Sequence, residues 1–218
     1  MSDNAVERLR KIDTCAVSDA LDALGIKGTV MGISSISVQR RIAGRVQTVK
    51  LGKASPDIPK KHLCSSAVDA ALPGDVIVVE NKETEIAAGW GGILSTAAAA
   101  KGLSGVIVDG PARDADESRD VDFPVFARAA TPFTARGRVA EHNWNKKIDI
   151  GGVAVDPGDL VLADGSGVVF IPQKHSDDVL DKAEEIQGKE VAMAAAVKAG
   201  KPVSDVMGGD YETMLVSN

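Results

Sequence analysis

Two segments of the sequence each run from a Pro-Gly-Asp turn into an apolar stretch that ends on an acid. The first is ALPGDVIVVE at 71–80 and the second is VDPGDLVLAD at 155–164. Pro-Gly is typical of a turn, and the apolar runs predict strands that are covered on at least one face. Strand-like and helical stretches mix along the rest of the chain without strict βαβ alternation, which predicts an α/β or α+β fold with a central sheet or sandwich flanked by helices.

The predicted helices lie mainly towards the two ends of the chain. Residues 5–25 read as two helical pieces that stop at Gly25, because glycine accepts the left-handed conformation of a helix end. Residues 176–200 read as one long amphipathic helix. Its expected core positions are Val179, Ala183, Ile186, Val191 and Val197. Aromatic residues make up only 3% of the chain, so the core must be built from aliphatic side chains.

Charge and composition exclude several classes of partner. The 218 residues carry 25 Lys and Arg against 31 Asp and Glu, a net charge of −6. This balance predicts neither nucleic acid nor membrane as a partner, since both favour a basic face. The polar start MSDNAVERLRKID and the lack of an apolar run of roughly 20 residues predict a cytoplasmic protein. Cys15 and Cys64 lack metal-binding spacing and are expected to be free thiols.

The stretch WGGILSTAAAAKGLSGVIVDGPARDADE at 90–117 contains the strongest candidate for a site. At its start, Gly91, Gly92, Ile93 and Leu94 lead into a helix expected to have Ser95 in its first turn. Backbone amides at a helix start have no partner in the helix, and glycines let a ligand approach them. A cradle for a carboxylate is one interpretation and an ordinary loop-to-helix junction is the other.

The end of the same stretch brings charges after a buried strand. Pro111 is expected to stop the strand pairing, and Arg113, Asp114 and Glu117 follow. The arginine fork matches a carboxylate, and carboxylate oxygens with waters suit Mg²⁺ or Mn²⁺. A solvated acidic loop with an Arg–Asp pair is the alternative.

One helix and one strand join these two ends, so we expect both ends to face the same edge of the fold. An anion cradle would then lie beside an arginine and a metal-binding carboxylate. That combination suits a 2-oxo acid, whose carboxylate would bind the arginine and amides and whose keto oxygen would face the metal.

Gly92, Arg113, Asp114 and Glu117 follow the spacing G-x20-R-D-x2-E. With this spacing and the ordered blocks VSDALDALG, PGDVIVVE, WGGILSTAA, GVIVDGPARD, FPVFARAATP and PGDLVLADGSGVVFIP, the chain resembles the class II pyruvate aldolases of the 4-hydroxy-4-methyl-2-oxoglutarate/4-carboxy-4-hydroxy-2-oxoadipate aldolase family. That family shares its fold with the regulator of ribonuclease activity A. The resemblance covers nearly the whole chain.

The resemblance implies a single compact α-β-β-α sandwich domain over 1–218, with mixed sheets flanked by helices, in a homotrimer or homohexamer. Asp114 would bind a divalent cation, Mg²⁺ or Mn²⁺, and Glu117 would hold a water on it. Arg113 would bind the keto acid and stabilise its enolate. The carboxylate would bind the amides of Gly92, Ile93 and Leu94. Glu190 would reach a neighbour's site or would simply lie on a solvated helix face.

The implied reaction is a retro-aldol cleavage of 4-hydroxy-4-methyl-2-oxoglutarate, or a related 4-hydroxy-2-oxo acid, to pyruvate. The same pyruvate enolate would give oxaloacetate decarboxylation, with Arg113, Asp114 and Glu117 as the catalytic residues. A non-catalytic binding protein like the ribonuclease regulator is one alternative, and an enzyme of the superfamily that acts on another keto acid is a second. Glu117 favours the enzyme, because the regulators tend to lack that acid.

Overall fold

The structure, a computed structural model, describes residues 3–58, 61–84 and 86–208. The helices are α1 (Asn4–Leu9), α2 (Thr14–Ala23), α3 (Ser65–Ala70), α4 (Gly92–Ala100), α5 (Ala115–Asp120), α6 (Ser176–Lys198) and α7 (Val203–Val206), with a 3₁₀ turn at Gln173–His175. The strands are β1 (Thr29–Val30), β2 (Ser34–Ser35), β3 (Ile42–Lys53), β4 (Val76–Glu80), β5 (Gly105–Ala112), β6 (Val125–Ala130), β7 (Val139–Trp144), β8 (Ile148–Ile150), β9 (Val153–Val155), β10 (Leu160–Ala163) and β11 (Val168–Ile171).

The long strand β3 connects a parallel and an antiparallel part of one curled sheet. The strand order is β1-β11-β10-β3-β4-β5-β6-β2, and β7 also pairs with β3. The start of β3 pairs antiparallel with β10, and its later residues pair parallel with β4 and antiparallel with β7. Strands β3, β4, β5 and β6 run parallel. Because β3 belongs to both parts, the sheet can fold over onto itself, and β8 and β9 form a separate hairpin.

Helices cover the outer face of the antiparallel part. Leu9, Leu21 and Ile186 come from α1, α2 and α6, and they belong to one buried cluster with Leu162 of β10 and Val169 of β11. All five side chains are essentially buried. This cluster forms the first of three apolar cores.

The other two cores lie between the sheet layers and under α3 and α4. Between the layers, Val78 and Ile107 of the parallel strands pack in one cluster with Val161 and Phe170 of the antiparallel strands. On the outer face of the parallel strands, Leu94 of α4 joins a further cluster. Three cores separate four layers of helix, sheet, sheet and helix, which confirms the predicted α-β-β-α arrangement.

Each Pro-Gly-Asp turn is closed by its aspartate. Asp75 Oδ2 accepts the N–H of Leu72 at 2.9 Å, and Asp159 Oδ2 accepts the N–H of Asp156 at 2.9 Å. Both aspartates are buried. The same carboxylate-closed turn therefore starts β4 and β10, and the two predicted strands are confirmed.

Three details of the sequence prediction are wrong. Pairing does not stop at Pro111, since β5 continues to Ala112 after the β5–β6 register shifts between Val108 and Pro111. Helix α4 begins at Gly92 instead of near Ser95.

The third detail that the sequence predicted wrongly concerns the core positions of α6. Its predicted core positions Val191 and Val197 are 65% and 37% exposed, because the buried face of the helix ends at Ile186. None of the helices in the described ranges combines the length and apolarity that crossing a bilayer requires.

Candidate active site

The two ends of segment 90–117 meet at the carboxyl end of β5. The N–H of Arg113 donates to the carbonyl of Trp90 at 3.0 Å, and the N–H of Gly92 donates to Asp114 Oδ2 at 3.0 Å. Arg113 Nε donates to the same carboxylate oxygen at 3.0 Å. The expected meeting of the helix start and the strand end is therefore confirmed as a contact.

The backbone at Asp114 turns its side chain towards α4. Asp114 adopts φ 57° and ψ 43°, the left-handed region that aspartate tolerates better than most residues. It occupies the N-cap position of α5, yet its carboxylate makes no capping hydrogen bond to that helix. The carboxylate is thereby free to bind the amide of Gly92 on the neighbouring helix.

The first turn of α4 offers two unpaired amides. The N–H groups of Ile93 and Leu94 make no hydrogen bond to any described residue. The amide of Gly92, which the sequence assigned to the same cradle, is already bound by Asp114. An incoming carboxylate would therefore meet two amides, together with the partial positive charge of the helix start.

The site leaves no room for side chains at positions 91 and 92. A Cβ on Gly91 would lie 2.8 Å from Asp114 Oδ2, and a Cβ on Gly92 would overlap Glu117 Oε2 and lie 3.1 Å from Glu117 Cβ. Both carboxylates thus lie against the helix start. The four residues of the G-x20-R-D-x2-E pattern are together in space.

A buried chain of hydroxyl groups lies beneath these charges. Trp90 Nε1 donates to Ser95 Oγ at 2.9 Å, Ser95 Oγ lies 2.8 Å from Ser118 Oγ, and Ser118 Oγ donates to the carbonyl of Asp114 at 3.0 Å. Trp90 also stacks on Phe123, with ring centroids 6.2 Å apart. This network ties α4 to α5 and fixes the backbone of Asp114.

The sequence analysis did not identify Ser95 and Ser118 as part of the site. Both side chains are fully buried. The available signal was Trp90, because a buried indole N–H needs an acceptor.

The donor set fits a hard divalent cation that keeps most of its waters. Asp114 Oδ1 receives no hydrogen bond from the described residues, and Glu117 is exposed. Within those residues, His, Cys, Asp and Glu form no group of three that could hold a metal ion. Mg²⁺ and Mn²⁺ need few protein ligands, whereas a structural zinc site would need about four.

Glu190 lies away from this site within one chain. It is partly buried on α6, and burial raises the pKa of its carboxyl, with the charges of Asp13 and Asp19 adding to the effect. Helix α6 packs against α1 and α2, on the other side of the sandwich from α4. The structure does not bring Glu190 to the motif, and its role at a neighbour's site stays a prediction.

Comparisons with known proteins identify relatives over most of the chain. The family model RraA-like (Aldolase/RraA) matches residues 14–170. Protein DlpA of Legionella pneumophila is 28% identical over 197 residues, which are 90% of this chain but only 32% of DlpA. A Halalkalibacterium halodurans protein, provisionally named a 4-hydroxy-4-methyl-2-oxoglutarate aldolase, is 33% identical over 192 residues, 88% of each chain.

Solved structures agree with this assignment. A Pseudomonas syringae protein of uncharacterized function superposes with a TM-score of 0.85 at 29% identity, over 95% of this chain and 98% of that one. Streptomyces coelicolor RraAS2, described as an unusual member of the RNase ES inhibitor RraA protein family, gives a TM-score of 0.79 at 25% identity, over 88% and 96%. The chain belongs to the RraA-like (Aldolase/RraA) family.

Proposed function

We propose that this chain is a divalent-metal-dependent lyase that cleaves 4-hydroxy-4-methyl-2-oxoglutarate, or a related 4-hydroxy-2-oxo acid, to pyruvate. We propose further that it decarboxylates oxaloacetate at the same site. One observation carries the proposal: Arg113, Asp114 and Glu117 converge on the glycine start of α4, beside two unpaired amides. The aldolase name of the Halalkalibacterium relative supports the reaction class.

In this proposal the substrate is held by its 2-oxo acid end. The amides of Ile93 and Leu94 bind the carboxylate, and Arg113 binds the substrate through its two Nη groups. Nε of Arg113 is occupied by Asp114, which fixes the plane of the guanidinium. The Arg113 side chain is 39% exposed and the Asp114 side chain 27% exposed, so a ligand can reach both.

Asp114 and Glu117 are the residues that would hold Mg²⁺ or Mn²⁺, Asp114 directly and Glu117 through water. A cation bound there supplies electrophilic stabilisation to the 2-oxo group. Asp114 would thereby have two roles, because its Oδ2 orients Arg113 and its Oδ1, which receives no hydrogen bond from the described residues, would be available to the cation.

The bond changes follow from this arrangement. The C4 hydroxyl passes its proton through a water held by Glu117 to the Glu117 carboxylate, the C3–C4 bond breaks, and C4 becomes a carbonyl carbon. The electron pair moves into the pyruvate enolate, whose negative oxygen Arg113 stabilises as a charged donor. The proton held at Glu117 returns through the water to C3 and gives pyruvate, and loss of CO₂ from oxaloacetate leaves the same enolate.

The test is pyruvate release, measured with a coupled lactate dehydrogenase assay. The substrates are 4-hydroxy-4-methyl-2-oxoglutarate and oxaloacetate, with Mg²⁺ or Mn²⁺ and after metal removal. The expected result is metal-dependent release that falls roughly a hundredfold or more in Arg113→Lys, which keeps the charge but loses the fork. Arg119→Lys is the matched control, since Arg119 is an exposed arginine on α5 that pairs with Asp116. No release of pyruvate by the folded, metal-loaded protein would contradict the proposal.

A second candidate function is inhibition of a ribonuclease, favoured by the likeness to RraAS2. In that case the protein would slow RNA cleavage by a ribonuclease of the RNase ES type and release no pyruvate. Inhibition that persists in Arg113→Ala would separate this function from the aldolase site. A third candidate is an enzyme of the superfamily that acts on a keto acid other than a 4-hydroxy-2-oxo acid, and it would release no pyruvate from 4-hydroxy-4-methyl-2-oxoglutarate.

The remaining parts of the proposal concern context. We propose a homotrimer or homohexamer, without nucleic acid or membrane as a partner. The two free cysteines are compatible with the proposed cytoplasmic location.

A further inference from the structure

A cavity lies at the edge of the parallel strands opposite to the candidate active site. It has a volume of 630 Å³, and its charged lining consists of Arg10, Arg40 and Arg41. Its other lining residues are Ile42, Ala43, Pro73, Gly74, Gly102, Leu103 and Ser104. We call this cavity the arginine groove. Its described lining includes three guanidinium groups and no carboxylate.

The groove is far from the candidate active site. Arg41 directly precedes β3, Gly74 lies two residues before β4, and Ser104 directly precedes β5. The groove thus opens at the amino ends of these strands, whereas Arg113 follows the carboxyl end of β5. Strand β5 separates the two by about 25 Å, at about 3.3 Å per residue.

Each arginine keeps donors available for a ligand. Arg10 binds Glu7 through Nη1 alone, and Arg41 binds the carbonyl of Ile12 through Nη1 while its Nη2 lies 3.8 Å from Asp164 Oδ2. Arg40 is held by the carboxylate and the carbonyl of Asp122. A guanidinium has five N–H groups, so all three residues keep some unpaired.

The three arginines of the groove are also accessible to a ligand from solvent. Their side chains are 40–47% exposed. The acids that pair with them hold the guanidinium groups in place but do not line the groove.

Three guanidinium groups cluster around one cavity, and each is paired with one acid outside the lining, Glu7, Asp122 or Asp164, so the groove presents the N–H groups that these pairs leave unused. This clustering occurs in a chain whose net charge is −6, so it is local and not a general property of the surface. The floor is apolar, since Ile42, Ala43 and Leu103 are buried and belong to the apolar cores. A ligand that fits must therefore combine separated anionic groups with a carbon skeleton.

We propose that the arginine groove binds a small organic polycarboxylate, with carboxylates on separate carbons that pair with different arginines. The guanidinium fork matches each carboxylate, and the carbon chain covers the apolar floor. An inorganic polyphosphate offers the charge without the apolar contact, so it binds more weakly. The site is independent of the lyase reaction and holds whether or not that reaction takes place.

The test uses propane-1,2,3-tricarboxylate as probe and isothermal titration calorimetry as readout. The protein carries Arg113→Ala, so that the candidate active site does not contribute. The buffer has constant ionic strength and is cleared of metal with a chelating resin, because a soluble chelator is itself a polycarboxylate. Arg10→Gln and Arg40→Gln are compared with Arg45→Gln. Arg45 is an arginine outside the groove, paired with Asp3.

The expected result is one site per chain, with a Kd that rises roughly tenfold in each groove variant and is unchanged in Arg45→Gln. Arg40→Lys keeps the charge and guards against misfolding, and it should weaken binding less than Arg40→Gln does. Three results would overturn the proposal. These are no binding at millimolar probe, a Kd that neither Arg10→Gln nor Arg40→Gln changes, or pyrophosphate binding as tightly as the tricarboxylate.

Discussion

Position 92 shows how tightly the candidate site is packed. A methyl group there would overlap the carboxylate of Glu117, which is exposed and can move away. If the proposed lyase activity is present, we expect Gly92→Ala to lower metal-dependent pyruvate release at least tenfold, because Glu117 is displaced from the proposed cation site. The free energy of unfolding should also fall, by about 1–3 kcal/mol, because the added Cβ would lie 3.1 Å from Glu117 Cβ and 3.2 Å from Asp114 Cβ, so the start of α5 must shift.

The control for that prediction is Gly165→Ala. An added Cβ there meets nothing within 4 Å, and its φ is not in the left-handed region. Activity and urea unfolding are measured for both variants. Equal pyruvate release from the two variants would contradict the prediction, because it would mean that the position of Glu117 against Gly92 is not required for the reaction.

Asp109 and Arg128 form a partly buried ion pair at the bulge of β5. Asp109 is 2% exposed, accepts a hydrogen bond from Arg128 Nε, and accepts the N–H of Gly151 at 2.8 Å. We expect Asp109→Asn to lower the free energy of unfolding by about 1–3 kcal/mol, because the guanidinium loses its charged partner. Urea denaturation measures the loss.

A surface pair provides the comparison. Asp116 is 94% exposed and pairs with Arg119. Asp116→Asn should change stability by less than about 0.5 kcal/mol, since exposed pairs contribute little. Similar losses in the two variants would show that burial of the Asp109 pair carries no extra stability.

At the scale of elements, Asp164 joins the end of β10 to the start of α2. Its carboxylate accepts the N–H of Thr14 at 3.0 Å, the hydroxyl of Thr14 at 2.6 Å and the N–H of Ser166 at 2.9 Å. Burial alone would raise the pKa of Asp164, but the hydrogen bonds from Thr14 and Ser166 and the charge of Arg41 hold it below its usual value of 3.8.

The pH dependence of that contact has a definite sign. A carboxyl with a lowered folded pKa stabilises the fold above its unfolded pKa, and this stability is lost as the pH falls through the folded pKa. We expect Asp164→Asn to cost about 1–3 kcal/mol near neutral pH. The difference in the free energy of unfolding between Asp164→Asn and the wild type should become smaller below about pH 4. Urea unfolding of both proteins across this range measures this difference, and a constant difference would contradict the prediction.

Elements were predictable where one local pattern decides the structure. The Pro-Gly-Asp turns before β4 and β10 are such a case, because each aspartate closes its own turn. The continued pairing of Pro111 was not predictable in this way, because it depends on the neighbouring strand β6. Asp109 and Gly110 together face Arg128 across a bulge, and the carbonyl of Pro111 bonds the N–H of Gly89. Proline lacks an N–H, and bulges are where strands tolerate it.

The candidate site was likewise predictable where its residues are close together along the chain. Gly92, Arg113 and Asp114 lie within one helix–strand unit, so chain connectivity alone brings them together. Ser95 and Ser118 were missed, because two serines carry no signal until α4 and α5 are known to pack on each other.

At the scale of the whole molecule, the four-layer arrangement depends on β3. No local pattern in 42–53 indicates that its first residues pair with β10 and its later residues with β4 and β7. The layers follow from pairing between segments that are distant in sequence, which the periodicity of the sequence does not indicate. The four-layer arrangement was predicted from the family resemblance instead. The outer part of α6 is a related case. Its sequence predicts a buried face, yet Val191 is exposed.

That exposed face leads to the last prediction, which concerns assembly. Val191 and Val203 are 65% and 54% exposed, on the part of the chain that extends past the core contact at Ile186. We expect this face to be covered by another copy in the proposed trimer or hexamer, because exposed apolar surface of this kind marks interfaces. Val191→Asp should then shift the protein towards its 22.6 kDa monomer in sedimentation velocity. Gln39→Asp, a new acid elsewhere on the surface, should leave the assembly intact. An oligomer that tolerates Val191→Asp would exclude this face from the interface, and a monomeric wild type would contradict the assembly itself.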